Sequence, residues 1–409
     1  MIKPTRQSLV MLLALSPATL IGIAAKDIVL LIPSIAIAIA MIGDYSYLVY
    51  VSKRIRIEVL SSIESIKMWT SEKRILSLQL KVNRCRISGI ELQSQIAKLT
   101  AVRIASNSVE LVVEVSPPYY GRYRLGMLRI SITSALGMYI YVQGVELRIE
   151  VIVYPRAWRL ALIALGLLHG LTTYTEGSEI PTYIRSLSGI YYTTREYTAG
   201  DPLARIDWKA SARLLKIMVK EFREEMGGGL LLLYDDVCLG PYTCDVVAST
   251  ALSIAISSFA SSIPIALYLT SRRGLVAKDP RDVLLALTKL VFEMLTIPDV
   301  DPYELLPPAT RDEIKKLLGV SIPSTEVGIE NVLERFKITT IVTSLVHRAT
   351  EIVRLAEYAR SKGVELEVYV PRKPWIDSDD IEHAYTVYTT YRLALSKLRS
   401  VGCRVNVVG

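Results

Sequence analysis

The side chains best placed for chemistry lie in one run between residues 195 and 222. Arg195-Glu196-Tyr197-Thr198-Ala199-Gly200-Asp201-Pro202 leads to Arg205-Ile206-Asp207-Trp208-Lys209-Ala210-Ser211-Ala212-Arg213, and then to Val219-Lys220-Glu221-Phe222. Asp207-x-Lys209 is the tail of a nuclease pattern, in which carboxylates hold Mg²⁺ and a lysine positions the attacking water. That chemistry wants a second acidic ligand about one strand upstream, where Glu196 and Asp201 are only loosely placed. Two other uses fit the same residues. Asp207 can pair with Arg205, Lys209 and Arg213 in a network that clamps this arm to a neighbouring sheet. Trp208 offers a docking partner an apolar anchor or a cation–π face. Gly200-Asp201-Pro202 is turn chemistry. These residue types favour the clamp over docking, and docking over catalysis.

Little else in the chain points to turnover. There is no Ser/His/Asp set and no activated Cys. Gly227-Gly228-Gly229 precedes a strand, the wrong order for a P-loop. His169, His347, His383 and Cys85, Cys238, Cys244, Cys403 show no CxxC or HxxxH spacing, so no zinc site is expected. The cysteines show no disulfide framework either, as expected of a reducing compartment. The reading is of a non-enzyme without a cofactor.

Stepping outward, the elements that must carry these residues begin with a membrane segment. Between Ser8 and Val51 the only charges are Lys26, Asp27 and Asp44. Leu9–Ala25 is one apolar run, and a second extends from Ile28 to Val51. Each approaches the roughly 20 residues that a helix needs to cross a ~30 Å hydrocarbon core. A turn at Lys26-Asp27 keeps both charges in water, whereas one long helix would leave them near the bilayer centre at about 2.5–3.5 kcal/mol each. The expectation is a transmembrane hairpin over residues 1–52, with spans at about 8–25 and 28–50. Lys3 and Arg6 precede it and Lys53, Arg54 and Arg56 follow it, which by the positive-inside rule puts the soluble part on the cytoplasmic side of the cell membrane.

The basic surplus sits just beyond the anchor. Of 48 Lys+Arg and 40 Asp+Glu, residues 53–159 hold 17 basic and 8 acidic. Anionic lipid is the natural neighbour of such a segment. Nucleic acid is disfavoured, because the basic residues alternate with apolar ones along strands. Residues 53–156 alternate with period two, as in Val109-Glu110-Leu111-Val112-Val113-Glu114-Val115, and read as a β-sandwich. Residues 157–229 form a connector and the polar arm, with the apolar stretch 158–171 packed or interfacial. From 230 to 409 continuous apolar strands (Leu230–Tyr234, Pro264–Thr270, Ile338–Thr343, Val364–Val370) alternate with helical segments. This predicts an α/β domain whose mostly parallel sheet is covered on both faces. Ligands of such sheets bind at the strand carboxyl ends, here Asp235-Asp236 and Thr343-Ser344.

The arm resembles the signature of the domain of unknown function 58 family, which carries R-x-Y-x-x-G-D, R-x-I-D-W-K-x-S-A-R and V-x-E-F ahead of a von Willebrand factor A-like domain. Gly121-Arg122-Tyr123-Arg124-Leu125-Gly126, Ser134-Ala135-Leu136-Gly137-Met138-Tyr139 and Val153-Tyr154-Pro155-Arg156 are similar to that family's strand-and-turn pattern. The resemblance implies a membrane-tethered scaffold or adaptor working with a MoxR-type AAA+ ATPase and a protein client. It also implies a Mg²⁺ motif, D-x-S-x-S, after the first strand of the α/β domain. Here that register reads Asp235-Asp236-Val237-Cys238-Leu239, with apolar residues at both hydroxyl positions. Thr343-Ser344 offers hydroxyls at another strand end, with no Asp beside it in sequence.

Overall fold

The change from alternating to continuous apolar strands divides the chain into two units, Met1–Tyr154 and Pro155–Gly409, each with its own core. The computed structural model describes residues 2–25, 28–55, 57–60, 64–82, 86–105, 108–169, 190–196, 208–214, 216–223, 229–319 and 325–409.

In the first unit β1 (Ile2–Pro4) leads into α1 (Arg6–Ala25) and α2 (Ile28–Arg54). There follow β2 (Ile57–Val59), β3 (Ser65–Trp69), β4 (Arg74–Val82), β5 (Ile87–Gln93), β6 (Ala97–Ile104), β7 (Ser108–Val115), β8 (Gly121–Thr133) and β9 (Tyr139–Tyr154). One sheet runs β1-β9-β8-β5 with β3 beside β9, and the other runs β2-β4-β7-β6. Because successive side chains leave a strand on opposite faces, Val109, Leu111 and Val113 of β7 meet Leu128, Ile130 and Ile132 of β8 in a single core. The outward surface carries ion pairs such as Lys73–Glu114 (3.3 Å) and Arg122–Glu150 (3.4 Å), which leave the basic surplus of this unit unchanged.

The helices α1 and α2 pack on each other and carry large exposed apolar side chains, among them Leu13, Leu20, Ile23, Ile35, Ile39 and Ile42. Both run slightly beyond the expected spans; the turn residues Lys26-Asp27 lie outside the described residues. Asp44, the lone charge of the second apolar run, is buried. Its Oδ2 accepts from Ser134 Oγ at 2.5 Å and from Met138 N at 3.3 Å, and its Oδ1 accepts from Leu136 N at 2.9 Å.

The second unit opens with α3 (Arg156–Leu168), β10 (Ile190–Glu196), α4 (Trp208–Leu214) and β11 (Met218–Arg223). It continues with β12 (Leu230–Tyr234), α5 (Pro241–Ala260), β13 (Ile265–Leu269), β14 (Gly274–Ala277), α6 (Pro280–Met294), α7 (Pro308–Gly319), β15 (Thr325–Glu326) and α8 (Ile329–Leu333). It ends with β16 (Ile338–Val342), α9 (Ala349–Ser361), β17 (Glu365–Pro371), α10 (Ile381–Ser400) and β18 (Arg404–Val408). The main sheet has the order β15-β14-β13-β12-β16-β17-β18. Strands β13, β12, β16, β17 and β18 pair in parallel, while β14 and β15 add an antiparallel edge. Leu231 and Leu233 of β12 pack in one cluster with α9 and α10. On α6, Met294 Sδ accepts from Tyr234 Oη at 3.8 Å. Burial on both faces is why β12 is apolar at every position.

The apolar stretch after residue 155, expected to be packed or interfacial, is a packed helix of this unit. α3 packs on α5 and α6, with Trp158 fully buried and its indole N–H donated to Leu295 O at 3.0 Å. Asp245 of α5 closes its N-terminus by accepting from Arg156 N (3.1 Å) and Ala157 N (2.9 Å). Burial raises the Asp245 pKa to about 6, against the lowering by those two N–H groups and by the Arg156 charge.

Candidate functional site

The ends of the parallel strands bring together residues far apart in sequence. Tyr234 is in register with Leu269 on one side and Val342 on the other. The next residue of each strand therefore forms a row, Thr270-Asp235-Thr343. Asp235 is fully buried there: Oδ1 accepts from Thr270 Oγ1 at 2.9 Å and Oδ2 from Thr343 Oγ1 at 2.7 Å. Burial raises its pKa, opposed by the hydroxyls of Thr343 and Thr270 and by the Arg348 charge. A second row lies above. Asp236 accepts from Ser271 N (3.2 Å) and Ser271 Oγ (2.5 Å), and Ser344 Oγ donates to Val237 O at 3.1 Å. Thus Thr343 does have an Asp beside it, supplied by the neighbouring strand rather than by the sequence around it.

These residues do not fit a bound divalent ion. Both Asp235 oxygens already accept hydroxyl protons, and the positions that would supply further oxygens are Val237 and Leu239. Among the described residues no group of three His, Cys, Asp or Glu could hold a metal.

Cys238 and Cys244 form a disulfide across the loop between β12 and α5. This corrects the expectation of unpaired thiols, and the cysteine argument for a reducing compartment falls with it. A loop that turns straight into a helix brings the two Cα atoms to 5.2 Å, inside bonding range. Cys403 is free, and Cys85 lies outside the described residues. Asp377 fixes the same loop, accepting from Tyr242 N (3.0 Å), Thr243 N (2.7 Å) and Thr243 Oγ1 (2.8 Å) at the start of α5. Only glycine serves at 240, since a Cβ there would meet Asp377 Cβ at 2.8 Å.

Beside the row of strand ends lies a recess of about 780 Å³ with Leu233 and Tyr268 in its lining and Arg272, Arg273, Arg348 and Arg354 around it. Arg348 is braced by donating Nη1–H to Thr270 O at 2.7 Å. Sequence reasoning missed Thr270, Ser271, Arg348 and Asp377. Thr270 and Ser271 had a signal, standing at the end of a recognised strand; Asp377 had none.

The polar arm forms a two-stranded ribbon, with β10 antiparallel to β11 and Arg195 opposite Val219, Glu196 opposite Met218, Thr194 opposite Lys220 and Thr193 opposite Glu221. The ribbon's partner element is α4, where Ser211 Oγ accepts from Met218 N at 2.8 Å. Trp208 is 71% exposed, and Lys209 and Arg213 are exposed beside it. Tyr197, Gly200, Asp201, Arg205 and Asp207 lie outside the described residues.

Residues 193–282, from β10 to the start of α6, match the sequence model of the family described as "Protein of unknown function DUF58". That segment of the chain is thus similar to the DUF58 family. The match takes in the arm, Asp235, Asp236, Thr270 and Ser271, and stops short of Thr343, Ser344 and Arg348. The upstream pattern around Gly121–Tyr139 lies outside it. No curated protein sequence matches the chain. Among solved structures, it is similar to the GspB Siglec domain at 12% identity and TM-score 0.18, covering 25% of this chain and 59% of that one. The SrpA adhesin from Streptococcus sanguinis is similar at 13% identity and TM-score 0.15, covering 23% and 57%. A Bacteroides ovatus GH5 xyloglucanase in complex with a XXXG heptasaccharide is similar at 9% identity and TM-score 0.16, covering 86% and 65%. The chain thus spans under two thirds of each of these structures, and scores this low carry no argument about fold or function.

Proposed function

We propose that this DUF58 chain is a membrane-anchored, non-enzymatic scaffold or adaptor. Its α/β unit is a von Willebrand factor A-like domain that offers its strand-end rim, with the arm, to a protein partner. The observation that supports this reading is the Thr270-Asp235-Thr343 row. The carboxylate at the centre of the rim ties three strand ends together beside a recess lined by Arg272, Arg273, Arg348 and Arg354 and by Glu326, Glu330 and Glu351, a charged surface suited to a protein partner. The resemblance suggests the partner class, a MoxR-type AAA+ ATPase holding a client complex. The anchor is α1 with α2, a multi-pass hairpin with the soluble part on the cytoplasmic side. Its support is the exposed apolar surface of both helices and the basic residues at their outer ends. The hydrolase alternative built on Asp207 and Lys209 gains no observation, Asp207 being outside the described residues.

The test is a native pull-down from mild detergent with and without ATP, comparing the parent with Trp208→Ala and with Arg272→Glu/Arg273→Glu. An AAA+ ATPase retained by the parent and lost from either variant supports the adaptor. A Mg²⁺-dependent hydrolytic activity abolished by Asp207→Asn in a folded protein would overturn it.

A further inference from the structure

We propose that the turn between β8 and β9, residues 134–138, is itself a membrane-contacting element that enters the bilayer boundary beside α2 and sets Leu136 among the acyl chains. The inference rests on the membrane reading above and adds a contact which that reading does not require.

Length is the first argument. From Ile28 to Asp44 the helix α2 climbs about 24 Å at ~1.5 Å per residue, short of a ~30 Å hydrocarbon core. Lys26-Asp27 at the far end must stay in water, so the near boundary of the core falls beyond Asp44. The sequence marks that boundary: Tyr45, Tyr47 and Tyr50 are exposed on α2, and Arg54 lies 4.4 Å from the Tyr50 ring centre. Tyrosines followed by basic residues are what a helix carries through the headgroup layer.

Attachment is the second argument. Asp44 holds the turn through Ser134 Oγ, Leu136 N and Met138 N, so the turn stands at the height of Asp44. Thr5, at the entry to α1, holds it from the other helix: Thr5 N donates to Met138 O at 2.9 Å, and Thr5 Oγ1 lies 3.0 Å from both Gly137 O and Met138 O.

The turn is also built for such a place. No charged residue occurs from Ile130 to Val145. Leu136 is 57% exposed, at the tip of a protein surface that otherwise alternates its charges with apolar residues. Many of its backbone groups are paired internally, which lowers the cost of leaving water: beyond the bonds to Asp44 and Thr5, Gly137 N donates to Ser134 O (3.1 Å), Ser134 N to Tyr139 O (2.9 Å) and Tyr139 N to Ser134 Oγ (3.0 Å). Asp44 is therefore not a stray charge in a transmembrane helix. It is the acceptor that lets a polar turn sit at that depth.

The test uses the full chain in phosphatidylcholine vesicles whose acyl chains are brominated at defined depths. Leu136→Trp and Ile39→Trp are compared with the parent, whose own tryptophans give the background. Ala135→Trp, also at an exposed position, replaces Leu136→Trp if circular dichroism shows that the latter does not fold. The expected result is added, blue-shifted emission in both variants that brominated chains quench, with shallow bromines strongest for the turn. Ile39→Trp quenched by lipid while the turn tryptophan responds only to aqueous acrylamide would overturn this inference and leave the membrane anchor standing. Neither quenched by lipid would overturn the anchor and the inference together.

Discussion

Two helices of this chain have nearly the same hydropathy and opposite surroundings. Ile35–Arg54 of α2 and Pro241–Ala260 of α5 are both long and apolar enough to cross a membrane, yet 17% of the first and 83% of the second is buried within the protein. The difference lies in their polar residues. Ser249, Thr250, Ser253 and Ser257 on α5 each return a hydroxyl to a carbonyl three or four residues back, which satisfies them inside a tight core. In the Ile35–Arg54 stretch of α2 the polar residues begin at Asp44 and collect at one end, as tyrosines and serines and then Lys53 and Arg54. Hydropathy alone does not tell these two helices apart; their burial within the protein and the placing of their polar groups do.

The sharpest way to break the comparison is to place the same charge on each helix. Ala251→Arg puts an unpaired charge in the fully buried face of α5. It is expected to cost roughly 4–5 kcal/mol or more and to unfold the α/β unit, measured by chemical denaturation. Ile39→Arg on the exposed face of α2 should leave that transition unchanged and weaken membrane retention by about 2.5–3.5 kcal/mol, read as release in an alkaline wash.

Next comes pH, acting on the polar residue of α5 that holds α3. The Asp245 pKa is raised from 3.8 to about 6, so the folded state binds its proton more tightly than the unfolded state. Its contribution is fully present below about pH 4, declines as pH rises to about 6, and is constant beyond. The total is about 3 kcal/mol at 1.36 kcal/mol per unit. Asp245→Asn should flatten the stability profile across that window in denaturant titrations. A slope that survives the substitution would assign it to another group.

A smaller effect is expected where the loop enters α5. Replacing Cys238 and Cys244 by Ser opens a short ring and should cost about 2 kcal/mol, seen as a lower denaturation midpoint that reductant no longer changes. The smallest belongs to the arm. Trp208→Ala, at an exposed site, should alter stability by no more than about 0.5 kcal/mol while abolishing partner capture, which separates docking from a structural clamp.

Much of the scaffold was legible because periodicity reports burial directly. The alternation of Val109–Val115 marked a one-sided strand, and the unbroken Leu230–Tyr234 marked a two-sided one. Short edge strands escaped: Gly274–Ala277 and Thr325–Glu326 are too brief to establish a period. The ribbon of β10 and β11 was hidden because its charged residues carry no sign of which backbone pairs with which. The apolar character of Arg156–Leu168 marked a packed or interfacial segment, but not its partners, because α5 and α6 come some ninety residues and more later in the chain.

By itself the sequence determined the apolar N-terminal helices, the alternating strands of the first unit, the α/β alternation of the second and the similarity of residues 193–282 to DUF58, since each is written in local spacing or in a contiguous motif. Tertiary structure alone decided that Asp235 stands between Thr270 and Thr343, that Asp44 holds residues 134–138, and that Asp377 and Asp245 close helices on other parts of the chain. Each of these carboxylates is satisfied by donors from other elements, far off in sequence for all but the nearer end of the Asp235 row. A buried charge is stable only where folding has brought such donors to it, and no local pattern records where they come from.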